Sequence, residues 1–223
     1  MEDIDAIALL QDPVRRRLYE YVAAQGREIG RNEAAEAAGV ARTLAAHHLD
    51  RLAEAGLLET GSRRLTGRSG PGAGRPAKVY TRARAERTVS LPARDYRTAA
   101  ELLAEAAEEA GLDSGLGAAA RRRGEALRTA AGPCDGLAGA VELLAARGYE
   151  PYLKQVGDAG PEVLRMRNCP FHTVAEHFPP LVCGMNLALL EGLIGTGGPL
   201  RARMDARPGE CCVIVEVSKN NAD

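Results

Sequence analysis

The residues best suited to chemistry are five cysteines, Cys134, Cys169, Cys183, Cys211 and Cys212, all in the C-terminal half of the chain. Cys169 stands in Asn168-Cys169-Pro170-Phe171-His172. Cys183 follows after thirteen intervening residues and Cys211 after twenty-seven more, with His172 and His177 between the first two. The chain has two phenylalanines, Phe171 and Phe178, and both lie in this segment. Clustered soft ligands beside scarce aromatics suggest a metal centre with an apolar shelter. Three thiolates can hold three irons of a four-iron cluster, leaving the fourth iron to a non-cysteine ligand or open to oxidants, as a sensor needs. A helix starting near Cys183 would favour its thiolate. The spacing is neither the compact run of a ferredoxin nor the paired Cys-x-x-Cys of a zinc ribbon. Zinc held by Cys169, His172 or His177, Cys183 and Cys211 fits the donor types equally, and buried, unreactive cysteine is the plain alternative.

A second chemistry is carried by arginine. Between Thr60 and Arg87 lie Arg63, Arg64, Arg68, Arg75, Lys78, Arg82, Arg84 and Arg87, against a single acid, Glu86. In a chain with net charge −1, such a surplus suggests one face that meets a polyanion, although a solvated loop has the same composition. Just upstream, residues 41–55 read as a helix. Ala41, Ala45, His48, Leu49 and Leu52 share its core side, while Arg42, Thr43, Ala46, His47 and Asp50 lie away from it. Arg42, Thr43 and His47 are the base-reading candidates, because arginine pairs bidentately with guanine and threonine offers a hydroxyl and a methyl. Arg51 is placed against phosphate. Arg63, Arg64, Arg68, Arg75 and Lys78 would meet the backbone or minor groove. His48, on the buried stripe, reads as structural.

The elements that must position these groups follow from periodicity and punctuation. A helical pattern runs from Ile4 to Ala24, split at Pro13. A short helix fits Asn32–Ala38 with Asn32 as N-cap, then a turn at Gly39-Val40, then the helix of 41–55 closed by Gly56. This is a helix-turn-helix arrangement. Strands at 57–60 and 78–81 around a glycine- and arginine-rich loop add a wing. Helices are expected at 94–110, 116–130, 137–146 and 179–194, with strands at 149–156, 161–167, 200–205 and 211–217. The fold class is therefore mainly α with α+β. The expected division is a DNA-binding winged helix at 1–88, a helical linker and possible dimerisation region at 89–132, and a small α+β cysteine-containing domain at 133–223. If Cys211 and Cys212 lie on an alternating strand they face opposite sides, so only one would be a ligand. Cys134, in a loop after Gly132-Pro133, is left aside.

Composition sets the outer bounds. With 223 residues, 45% hydrophobic and 26% charged, the chain is a globular protein of one or two domains. Glu191 interrupts its longest apolar run, so no bilayer span is expected. The opening Met-Glu-Asp-Ile-Asp lacks the features of a signal peptide, which with the odd cysteine count implies reduced thiols and a cytoplasmic protein.

Two resemblances extend this reading. Asp12-Pro13-Val14-Arg15-Arg16-Arg17-Leu18, His48-Leu49-Asp50-Arg51-Leu52, Gly56-Leu57-Leu58 and Gly74-Arg75-Pro76-Ala77-Lys78-Val79-Tyr80 resemble the winged helix of ArsR-like regulators. Asn168-Cys169-Pro170-Phe171-His172, Leu181-Val182-Cys183-Gly184-Met185-Asn186 and the Cys211-Cys212 doublet are similar to SufR-like iron–sulfur transcriptional regulators. That resemblance implies a homodimeric repressor, binding double-stranded DNA, with a cluster, expected to be 4Fe–4S, on Cys169, Cys183 and Cys211. Some members carry a fourth cysteine between the second and the last, and this chain has none there. The competing expectations are a winged-helix regulator that senses zinc or thiol oxidation without a cluster, and an enzyme using a cluster or a Cys-His pair. No phosphate loop, Gly-x-Ser-x-Gly or His-Glu-x-x-His motif supports the enzyme.

Overall fold

The computed structural model describes residues 2–63, 76–132, 134–157 and 160–218. Backbone contacts divide it into two units, Met1–Arg94 and Asp95–Asp223. Among the described residues no helix is long and apolar enough to cross a membrane.

The first unit opens with α1 (Glu2–Ala8), a 3₁₀ turn at Leu9–Gln11 and α2 (Pro13–Gln25). The split expected at Pro13 is present: Pro13 begins α2, because its missing N–H falls where a helix has no partner for it. Asp12 completes the start, its Oδ1 accepting from the backbone N–H of Val14 and Arg15, both at 2.9 Å. A two-residue strand β1 (Ile29–Gly30) leads into α3 (Arg31–Ala38). Asn32 is not the N-cap expected of it. Gly30 holds that position with no side-chain cap, because the chain enters α3 directly from extended backbone. Gly39, at φ 65°, reverses the chain into α4 (Arg42–Glu54). The wing is β2 (Leu58–Arg63) and β3 (Ala77–Arg82). The sheet order is β1-β3-β2, all antiparallel, with Tyr80 opposite both Ile29 and Thr60. Leu18, Val22, Ile29, Ala34, Ala45, Leu49, Leu52, Leu58 and Tyr80 form the core. β1 is absent from the sequence reading, as is the one-turn helix His172–Ala175 of the second unit, since two and four residues carry no periodicity.

The second unit contains α5 (Tyr96–Glu109), α6 (Asp113–Ala131), α7 (Gly136–Ala145), β4 (Pro151–Gln155), β5 (Glu162–Met166), α8 (His172–Ala175), α9 (Pro179–Ile194), β6 (Leu200–Met204) and β7 (Val213–Val217). Its antiparallel sheet runs β4-β5-β7-β6. Of the segment 89–132, expected as a helical linker and possible dimerisation region, residues 95–132 supply two helices to this unit, and α6 packs along α9. Two glycines let the helices touch backbone to backbone. A Cβ on Gly124 would sit 2.2 Å from the Leu189 carbonyl oxygen, and one on Gly192 would sit 2.2 Å from that of Arg121. Leu144, Tyr149, Leu164, Met166, Leu190, Leu193, Val213 and Val215 fill the space between α7, α9 and the sheet.

Candidate functional site

In the first unit, α4 presents its core side as drawn from the sequence, with Ala45, His48, Leu49 and Leu52 buried. Arg42, Thr43 and His47 lie exposed on the opposite side. His48 is 7% exposed and its Nδ1 accepts from Arg15 Nε at 3.3 Å. Burial lowers its pKa, because the charged imidazolium would lose solvent, and Asp12 opposes that only in part. Arg51 is exposed and lies 3.9 Å from Glu54 one turn on, so it is free to reorient toward a phosphate. Arg63, at the end of β2, stands 3.5 Å from Glu28. Arg64, Arg68 and Arg75 lie outside the described residues.

Lys78 is differently placed from a bare wing cation. Its Nζ donates to Asp50 Oδ1 at 2.7 Å. The same carboxylate accepts from Tyr80 Oη at 2.7 Å and from Arg31 Nη2 at 2.8 Å on Oδ2 and 3.1 Å on Oδ1. Arg31 Nε closes the ring by donating to Tyr80 Oη at 2.9 Å. Burial raises the Asp50 pKa, but the Lys78, Tyr80 and Arg31 donors outweigh it and hold the carboxyl below its usual range. Tyr80, fully buried and beside this carboxylate, is pushed up to about 12. Sequence reading missed Arg31 altogether, because nothing local shows that the start of α3 adjoins the wing.

A two-stranded wing, extended by β1 to a three-stranded sheet and following two helices joined by a tight glycine turn, is the arrangement of a winged helix-turn-helix. Residues 9–61 match the family model of a helix-turn-helix domain. This is the reading domain of a DNA-binding transcriptional regulator. No curated protein and no solved structure matches the chain.

The second unit of this regulator gathers four of its five thiols. Cys169 lies between β5 and α8, Cys183 lies in the second turn of α9, and Cys211 and Cys212 lie between the β6–β7 turn and β7. Cys183 Sγ donates to Cys212 Sγ at 3.1 Å. The Cys169 thiol hydrogen-bonds Cys211. Asn186, 2% exposed and one turn beyond Cys183, points its Nδ2 at Cys211 Sγ (3.3 Å) and Cys169 Sγ (3.9 Å). The Tyr149 hydroxyl donates to Asn186 Oδ1, which leaves the amide N–H groups to the sulfurs.

The doublet does not obey strand alternation. β7 begins at Val213, so Cys211 and Cys212 precede it and both sulfurs reach the other thiols. What holds them there is Arg165, 1% exposed on β5. It ion-pairs with Glu210 and, at 3.3 Å, with Asp205, and donates to the Asp205 carbonyl at 2.9 Å. Tyr152 Oη also donates to Glu210, and Cys211 N–H donates to the Met166 carbonyl at 2.9 Å. Burial pulls the Glu210 pKa up, but Tyr152 and Arg165 together hold it below its ordinary value.

These contacts set the thiol acidities apart. The hydrogen bond from Cys169 lowers Cys211 to about 7 against the effect of burial, helped by the Val213 N–H, Asn186 and Arg165. Cys169 is raised by the same bond and by burial. Burial and Cys212 push Cys183 up to about 12. His172 and His177 are exposed and engaged within their own segment. His172 pairs with Glu176 at 3.2 Å, and His177 Nδ1 lies 3.3 Å from the Thr173 carbonyl. Cys134 stands apart, near the Gly136 carbonyl.

The donor set has the chemistry for a thiolate-held metal or cluster: four sulfurs, a sheltering apolar core and an amide donor aimed at two of them. Its geometry is that of thiols in mutual contact. Among the described residues no group of three or more histidine, cysteine or carboxylate side chains is arranged to hold a metal ion. Two thiolates on a tetrahedral zinc stand about 3.8 Å apart at Zn–S of about 2.3 Å, so Cys183 and Cys212 must separate to share one.

Proposed function

We propose that this protein is a homodimeric repressor, working in the cytoplasm on double-stranded DNA, whose second unit reports redox or iron–sulfur status through a cluster held by Cys169, Cys183 and Cys211. The observation that carries the reading is one chain with both a helix-turn-helix domain and a second unit in which four thiols converge. When bound, the cluster supplies an electron-accepting and oxidant-labile centre. The chain does the rest. Asn186, oriented by Tyr149, donates N–H to two sulfurs, and Arg165 fixes the segment that carries Cys211. α5 offers a face for pairing, with Tyr96, Leu102 and Leu103 exposed at 73%, 60% and 72%. Two recognition helices about 34–36 Å apart would then read successive major grooves. Regulation requires that the protein with and without the cluster differ in affinity for DNA.

Anaerobic purification with iron, sulfide and zinc assays and a visible spectrum tests the reading. A brown protein with iron and acid-labile sulfide, both lost in Cys169→Ser, supports it. A colourless protein that refuses reconstitution refutes the cluster. The 3.1 Å Cys183–Cys212 contact favours a second reading, in which oxidation of these thiols to a disulfide is itself the signal. A protein without iron or sulfide that loses the mass of two hydrogens on treatment with a hydroperoxide, and does not in Cys212→Ser, distinguishes it.

A further inference from the structure

Asp50 is an acid on a helix read as the DNA-contacting one, a place where a negative charge opposes phosphate. It lies one turn beyond Ala46 and His47 on the side of α4 that carries Arg42 and Thr43. Its two oxygens are committed to three donors from two other elements: Arg31 at the start of α3, and Lys78 and Tyr80 on β3. The two cations also lie near the Tyr80 ring, at 5.9 Å for Arg31 and 5.5 Å for Lys78. Tyr80 is fully buried, so the ring, the carboxylate and both cations form one fixed group. The cations themselves are partly open to solvent, with 31% of the Arg31 side chain and 41% of Lys78 exposed.

We propose that Asp50 is a positioning residue that holds Arg31 and Lys78 beside α4 and, by neutralising them, weakens the pull of this domain toward DNA of arbitrary sequence. Non-specific affinity comes from cations that release counterions from phosphate, and a cation already paired releases fewer. Discrimination is a difference between affinities, so lowering the non-specific one raises the share of binding decided by Arg42, Thr43 and His47. Asp50 therefore sets specificity without touching a base. The inference rests on the reading of α4 as the DNA-contacting helix.

The test measures binding of the full chain to a short random-sequence duplex across a salt series. Asp50→Asn keeps shape and two polar atoms but removes the charge. It should raise low-salt affinity by about 10-fold and steepen the slope of log K against log salt by about 1 to 2, as one or two cations become free for phosphate. Glu54→Gln removes the same charge from the same helix, at a residue that among the described residues pairs with Arg51 alone, at 3.9 Å, and should change the slope by far less. Lys78→Met should leave the slope of the otherwise unaltered protein nearly unchanged, yet lower it by about 1 in the Asp50→Asn background. Equal slopes for Asp50→Asn and the parent, or a Lys78→Met effect that is the same in both backgrounds, overturns the proposal. If Asp50→Asn does not fold, the single Lys78→Met variant decides: a slope reduced by about 1 refutes neutralisation. Failure of the parent chain to bind any duplex, with Arg42→Ala indistinguishable from it, sinks the DNA reading of α4 and the proposal with it. Binding that is lost in Arg42→Ala but indifferent to Asp50 sinks the proposal alone.

Discussion

The proposed DNA-reading surface on α4 and the thiol nest are assembled in opposite ways. On α4 the working groups sit on one contiguous segment and face water, and the fold only has to bury the other side of the helix. The thiols come from three separated segments and meet in a half-buried space, so the fold has to deliver each sulfur individually. An ion pair serves each region differently. Asp50 gathers solvent-facing cations, whereas Arg165 is a buried cation that gathers carboxylates to pin a loop. A surface can be assembled by pattern, but a nest has to be assembled by anchors.

The contrast can be broken in order of effect. Cys211→Ser should abolish iron and sulfide retention while non-specific DNA binding persists, as metal analysis and a binding titration on the same sample will show. Cys134→Ser should change neither. Arg165→Leu should destabilise the second unit by about 2–3 kcal/mol in thermal unfolding, because it strands Glu210 and Asp205; their partial exposure keeps the loss below that of a fully buried pair. Arg42→Ala should lower affinity for a selected operator by about 10-fold and relax preference at one base pair, with the cysteines' metal content unchanged. The smallest effect belongs to His48. Its folded pKa lies below the unfolded value, so the unfolded chain takes the proton first and stability falls as pH drops through about 6.5 toward the folded pKa. His48→Gln should flatten that part of the stability profile in denaturant titrations, and an unchanged profile would place the titration elsewhere.

Legibility in the sequence follows the same divide. The Ala45, His48, Leu49, Leu52 stripe identifies the inner side of α4 because a helix repeats over few residues. Pro179–Ile194 is readable to the residue, bounded by Pro179 at its first turn and Gly195 at its end. The doublet is not readable in this way. Strand alternation is a correct rule applied to residues that the Arg165–Glu210 pair keeps out of the strand. Asn186 and Tyr149 look like ordinary core positions until the fold places them beside sulfur. Arg31 escapes for the same reason: its partners are nineteen and forty-nine positions away.

The contact of Gly124 with Gly192 has a mechanical consequence. A helix that rests on side chains can roll or slide by rotamer changes, but here carbonyl oxygens occupy the space where any Cβ would lie. α6 and α9 therefore move as one stiff bar. Whatever happens at Cys183 and Asn186 is not relayed by α9 turning against α6. Cys183 and Asn186 ride on that bar, while Cys211 is fixed separately by the Arg165 anchor, so the nest is held from two rigid sides.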